Sequence, residues 1–137
     1  MAKTKLPPAH DWQAREIDDW NVTTFHAYLA DKHREMFGCE YVPFRGWRVE
    51  QGMLGTLIGT RAKEGTHDKS TIKRFIDLAF EEYTPTTKYP GTNFGFNYSY
   101  KRNLLQRVES EASEKERLKE RMESAQEIDY SDLSQWL

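Results

Sequence analysis

After Tyr100 the chain reads KRNLLQRVESEASEKERLKERMESAQ, a run with no glycine or proline. Its residues are strong helix formers, and nothing in it stops a helix. The stretch just before it, NFGFNYSY, is harder to read. Phe94, Phe96, Tyr98 and Tyr100 alternate as in a half-buried strand. The same residues pair at i, i+4, which suits a helix. A strand here would need a partner, and CEYVPF is the one segment that offers itself. One long helix over 93–125 asks for fewer assumptions and is predicted. Phe94, Tyr98, Leu105 and Val108 then share a face, with Leu104 on its flank. Phe96 and Tyr100 point away from it.

Three shorter helices precede this one. The first is predicted over Val22–Phe37, with Val22, Phe25, Leu29 and Met36 on one side and Tyr28 beside them. Gly38 follows at the position of a left-handed cap. Pro43 keeps the next segment extended. The second helix is predicted over Trp47–Ala62, with Val49, Met53, Leu54, Leu57 and Ile58 on its apolar side. Gly52, Gly55 and Gly59 form a smooth stripe beside that side. Each glycine costs roughly 0.5–1 kcal/mol against alanine, which calls for close packing by another helix. The third helix is predicted to start after Ser70 as N-cap and to end near Tyr83, on a stripe of Ile72, Phe75, Ile76, Ala79 and Phe80. The expected fold is therefore mostly α: a compact helical domain with a long C-terminal helix and an acidic-aromatic tail. The expected divisions are an N-terminal arm over 1–20, a helical core over 21–108, and a projecting helix with tail over 109–137.

Charge is unevenly spread. Residues 41–108 hold eleven Lys/Arg against six Asp/Glu, and residues 109–137 hold four against nine. A middle at +5 favours polyanions through counterion release. A tail at −5 either shields that middle or mimics its ligand. The third helix opens with Thr71, Lys73 and Arg74, the chemistry that a recognition helix presents to a groove. Arg48 lies near the glycine stripe. Lys101 and Arg102 follow Phe96 and Tyr100, and interleaved aromatic and basic residues suit single strands, whose bases stack on the rings. The expected nucleic-acid contacts are thus Arg48, Thr71, Lys73, Arg74, Phe96, Tyr100, Lys101 and Arg102. The tail carries Tyr130, Leu133, Trp136 and Leu137 among acids, the make-up of a partner anchor.

Enzymatic chemistry finds no foothold in the motifs. His26 and His33 lie two helical turns apart, too far for the usual zinc spacing. Cys39 sits beside Glu40, which raises a thiol pKa rather than lowering it. No G-x-S-x-G is present, and the glycines lack the Lys-Ser/Thr ending of a phosphate loop. No metal, cofactor or catalytic residue is expected. The lone cysteine, together with the absence of a signal-like or membrane-spanning apolar run, points to a cytoplasmic protein.

Three blocks, FHAYLADKHREMFGCEYVP, TIKRFIDLAFEEY and YPGTNFGFNYSYKRNLL, together resemble a small helical module of tailed-phage replication and DNA-metabolism proteins, including replisome-organiser-like chains. The resemblance covers about residues 23–108. It implies a phage-encoded accessory protein of DNA replication or transcription, working in the bacterial host cytoplasm, and it assigns no catalytic residue. The alternative expectation is a protein-interaction factor that binds host or phage machinery through its tail.

Overall fold

The computed structural model describes the backbone of residues 6–136 and the side chains of residues 6–126. Five helices follow in order: α1 (Val22–Phe37), α2 (Trp47–Ile58), α3 (Lys69–Glu82), α4 (Phe94–Tyr100) and α5 (Arg102–Trp136). A single 3-10 turn, Ile17–Asp19, precedes them. Among the described residues there is no strand. Tyr130, Leu133, Trp136 and Leu137, the tail residues read as an anchor, lie outside the described side chains.

The first helix begins and ends where the sequence places it. Asn21 accepts from the Thr24 amide while the Thr24 hydroxyl accepts from the Asn21 amide, a reciprocal capping box. Gly38 closes the helix in the left-handed region. Its buried side differs from the expected one, because Met36 is exposed and His26 and His33 are buried in the interior. His33 finds partners for both ring nitrogens, and His26 bonds through Nε2 while its Nδ1 is buried with none among the described residues. α3 is the central helix, with Ile72, Phe75, Ile76, Leu78, Ala79 and Phe80 all buried. It starts at Lys69, after Asp68 rather than after Ser70. Leu104, Leu105 and Val108 of α5 join the same core.

Two helical expectations are corrected. α2 stops at Ile58 instead of Ala62, because Gly59 turns the chain at φ +90. A side chain at Gly59 would meet the Gly65 amide nitrogen at 2.6 Å, so this tight turn requires glycine. The three glycines therefore do not form one packed stripe. Gly52 faces open space, and Gly55 meets only Thr60 and Val22. The buried stripe of α2 keeps Leu54, Leu57 and Ile58 but differs at its start. Val49 is exposed, while Glu50 lies at 0% exposure in line with Leu54, Leu57 and Ile58.

The second correction is that residues 93–125 are not one helix. The backbone breaks at Lys101 (φ −126, ψ 43), between α4 and α5. Neither glycine nor proline marks the break. It lets α4 stay bonded to the segments around Tyr41 and Glu50 while α5 lies along α3. The Arg102 guanidinium donates to the Tyr98 carbonyl at 2.7 Å, which satisfies a carbonyl left over at the end of α4. From Glu109 to Gln126 every residue of α5 is exposed, so this part of the helix stands clear of the core.

The N-terminal residues 11–20 are less detached than an arm. Trp20 is buried in the core, and Trp12 packs against Trp20 and Tyr28 while its indole N–H donates to Asp31 at 2.7 Å. The core thus starts before residue 21.

Candidate nucleic-acid interface

The face around α4 is built by a buried carboxylate. Glu50 accepts from the amides of Phe44 (2.7 Å) and Gly95 (3.3 Å), from the Tyr41 hydroxyl, and from His26 Nε2 at 3.1 Å. The Tyr41 oxygen in turn accepts from the Phe94 amide at 2.8 Å. The first turn of α4 is therefore bolted to α1, α2 and the 39–46 segment by a hydrogen-bond network centred on one carboxylate. Burial, reinforced by the Glu50 carboxylate, pushes the Tyr41 hydroxyl far above its ordinary pKa, so it stays a donor. Burial likewise raises Tyr28, whose hydroxyl donates to Asp77.

A second buried ring holds the loop leading into α4. His33 Nδ1 faces the Cys39 carbonyl at 3.0 Å, and its Nε2 accepts from the Thr92 amide at 3.3 Å. A carbonyl only accepts, so the proton sits on Nδ1 and the ring is neutral. Asn93 caps α4 by accepting from the Phe96 amide and also donates to the Val42 carbonyl at 3.2 Å. Gly95 rests against Phe44 so closely that a Cβ there would stand 2.4 Å from the Phe44 Cβ. Only glycine permits this approach.

These anchors turn one side of α4 inward and leave the other in solvent. Phe94 is buried and stacks on Tyr98 at 5.9 Å. Phe96 and Tyr100 are 41% and 69% exposed, with ring centroids 5.0 Å apart. Arg102 lies 3.7 Å over the Tyr98 ring, and Lys101 lies 5.4 Å over Tyr83. An apolar groove of about 450 Å³ opens beside Phe96, walled by Phe44, Tyr83 and Tyr89. Arg45 and Lys88 sit over the Phe44 and Tyr89 rings at 5.1 and 5.5 Å.

The expected contact residues fall into two groups. Phe96, Tyr100, Lys101 and Arg102 come together at the α4–α5 junction. Arg48 is exposed in the first turn of α2, a helix that touches α4. The α3 residues are elsewhere. Lys73 pairs with Asp77 at 2.9 Å and lies over the Tyr28 ring. Arg74 faces Glu111 at 4.0 Å, and Thr71 lines a groove between α3 and α5 with Glu111 and Glu114. Carboxylates of α5 thus stand beside the start of α3, away from the α4–α5 junction.

Sequence reasoning missed Glu50, Phe44, Arg45, Tyr83, Lys88 and Tyr89. Two signals were there to be read. Phe44–Arg45, Lys88–Tyr89 and Tyr100–Lys101 are all adjacent aromatic–basic pairs. Glu50 stands at i of an i, i+4, i+7, i+8 stripe with Leu54, Leu57 and Ile58, a carboxylate in register with the core.

Among the described residues no group of His, Cys, Asp and Glu is placed to hold a metal ion. No described helix is long and apolar enough to cross a membrane. Comparison with protein-family models, curated proteins and solved structures finds no match to this chain.

A spectroscopic result follows from the buried hydroxyls. In an alkaline titration read at the phenolate absorbance band, Tyr28 and Tyr41 should not ionise in the folded protein. An unfolded tyrosine ionises near pH ~10. Both folded values lie above that, so their contribution to stability is complete below pH ~10 and declines as pH rises beyond it. Their absorbance should therefore appear together with unfolding. Smooth ionisation of all seven tyrosines in a still-folded protein contradicts the buried network.

Proposed function

We propose that this chain is a non-enzymatic nucleic-acid-binding protein and that the α4 face is its binding surface. The carrying observation is the pair of exposed rings, Phe96 and Tyr100, set at 5.0 Å beside Lys101 and Arg102. Exposed rings next to cations fit single strands, whose bases stack while their phosphates pair with charge. The +5 charge of residues 41–108 supports the same reading. The buried acid–base cluster of Glu50 with His26 and Tyr41 is enclosed and spends its carboxylate on holding α4. That use is structural and supports the non-enzymatic part of the proposal. The resemblance of residues 23–108 to phage replication modules supports an accessory role in DNA replication or transcription, carried out in the cytoplasm of a bacterial host.

Fluorescence anisotropy with labelled single-stranded and duplex oligonucleotides tests the proposal. Single strands should bind at low salt, with log K falling by roughly 0.7 per contacted phosphate for each unit of log salt. Reversing Lys101 and Arg102 to Glu should weaken binding more than reversing Lys73 and Arg74, which already face Asp77 and Glu111. Absence of binding to every DNA and RNA probe at low salt refutes the proposal.

A further inference from the structure

We propose that the groove beside Phe96 receives the acidic, aromatic C-terminal segment, residues 127–137, of a second copy of this chain. The groove is apolar at its walls and cationic at its rim. Phe44, Tyr83, Tyr89 and Phe96 line it, and Arg45, Lys88 and Lys101 lie over three of those rings. Among the described residues none of these three cations is in an ion pair. The segment EIDYSDLSQWL offers the matching set, with Glu127, Asp129 and Asp132 among Ile128, Tyr130, Leu133, Trp136 and Leu137. Aromatic anchors in an apolar pocket supply affinity, and opposite charges at the rim steer and orient the encounter.

Chain length selects the second copy over the chain's own tail. α5 starts at Arg102, next to Lys101, which lies over the Tyr83 wall of the groove. A helix rises about 1.5 Å per residue, which puts residue 126 roughly 36 Å away. Eleven further residues, fully extended, span at most about 36–40 Å. Their own tail could come back to the groove only by retracing the whole helix, with no residue left to enter it. Two copies with antiparallel α5 helices have no such difficulty. Each tail then arrives where the partner's α5 begins, and Leu118 and Met122, exposed along the solvent-facing stretch, lie near the middle of the pair. This is an isologous contact that closes on itself as a dimer.

Because Phe96 and Lys101 belong to both surfaces, tail and nucleic acid exclude one another. That exclusion rests on the function proposed above, whereas the docking itself does not. The dimer would be a storage form that single strands open.

Sedimentation velocity of the full chain across a concentration series reads the association directly. A reversible dimer that weakens with salt is expected. Trp136→Ser and Phe96→Ser should each raise its dissociation constant roughly tenfold or more. Mixing the two variants should restore a heterodimer, since one intact tail then meets one intact groove. Circular dichroism confirms that both variants fold, and Lys101→Glu provides a second groove variant with the core untouched. A chain that is monomeric up to its solubility limit overturns the proposal. So does a dimer indifferent to both variants, a mixture that does not reassociate, or a monomer that loses thermal stability on Trp136→Ser, which would place the tail on its own body. Added oligonucleotide should dissociate the wild-type dimer. If no oligonucleotide binds at all, the nucleic-acid reading fails while the dimer result stands.

Discussion

Replacing Glu50 with leucine should cost about 3–5 kcal/mol, a large part of the ~5–15 kcal/mol that holds a typical domain together. The loss comes from orphaned donors, because leucine fills a similar volume. The amides of Phe44 and Gly95, the Tyr41 hydroxyl and His26 Nε2 all lose their acceptor inside the protein. A buried donor left without a partner costs about 1–3 kcal/mol. Some of the four would relax toward water, so the total falls short of their sum. Glu50→Gln keeps an acceptor oxygen and should lose less. Urea unfolding followed by far-ultraviolet dichroism measures both variants. A loss under about 1 kcal/mol for the leucine variant would mean that the carboxylate does not organise this region.

The double substitution Phe96→Ala with Tyr100→Ala should act in the opposite way, on binding and not on folding. Stacking of a base on an aromatic ring is worth about 1–3 kcal/mol. Loss of two rings should weaken single-strand binding by at least about thirtyfold. Tyr100 is largely in solvent and Phe96 is partly so, outside the core, so stability should change little, by no more than about 0.5 kcal/mol at Tyr100. The salt dependence should remain nearly the same, since no phosphate contact is removed. Charge reversal at Lys101 and Arg102 should instead flatten the salt slope by about 0.7 unit per lost contact. If the double alanine variant binds as well as the parent while the reversal abolishes binding, the surface is purely electrostatic and the stacking role is wrong.

How far the fold could be read depended on whether burial followed hydropathy. α1 begins at Val22 and is closed by Gly38, and α3 buries Ile72, Phe75, Ile76, Ala79 and Phe80, as their spacing implies. In those places local chemistry and tertiary packing agree. Where a polar group is buried for its hydrogen bonds, periodicity misleads. Hydropathy puts Val49 inward in place of Glu50, although Leu54, Leu57 and Ile58 are buried as their spacing implies. His33 was read for its metal spacing rather than as the residue that takes the interior from Met36. The break at Lys101 had no local signal at all. It is imposed by bonds from Tyr41 and Glu50, more than forty residues upstream. The site was legible in part for the same reason. Phe96, Tyr100, Lys101 and Arg102 are contiguous and could be seen together. Phe44, Tyr83 and Tyr89 reach the same groove from two other segments, and only folding brings them there.

The carboxylate of Glu50 gathers donors from α1, from the 39–46 segment and from α4. α4 itself is only seven residues long. A peptide of that length does not hold a helix in water. The rings of Phe96 and Tyr100 therefore owe their spacing to residues that never reach the surface. A fragment spanning 89–105 would carry Phe94, Phe96, Tyr98, Tyr100, Lys101 and Arg102, yet present none of them in register. The arrangement of this face is a property of the completed tertiary structure, and copying its surface residues onto another helix would not reproduce it.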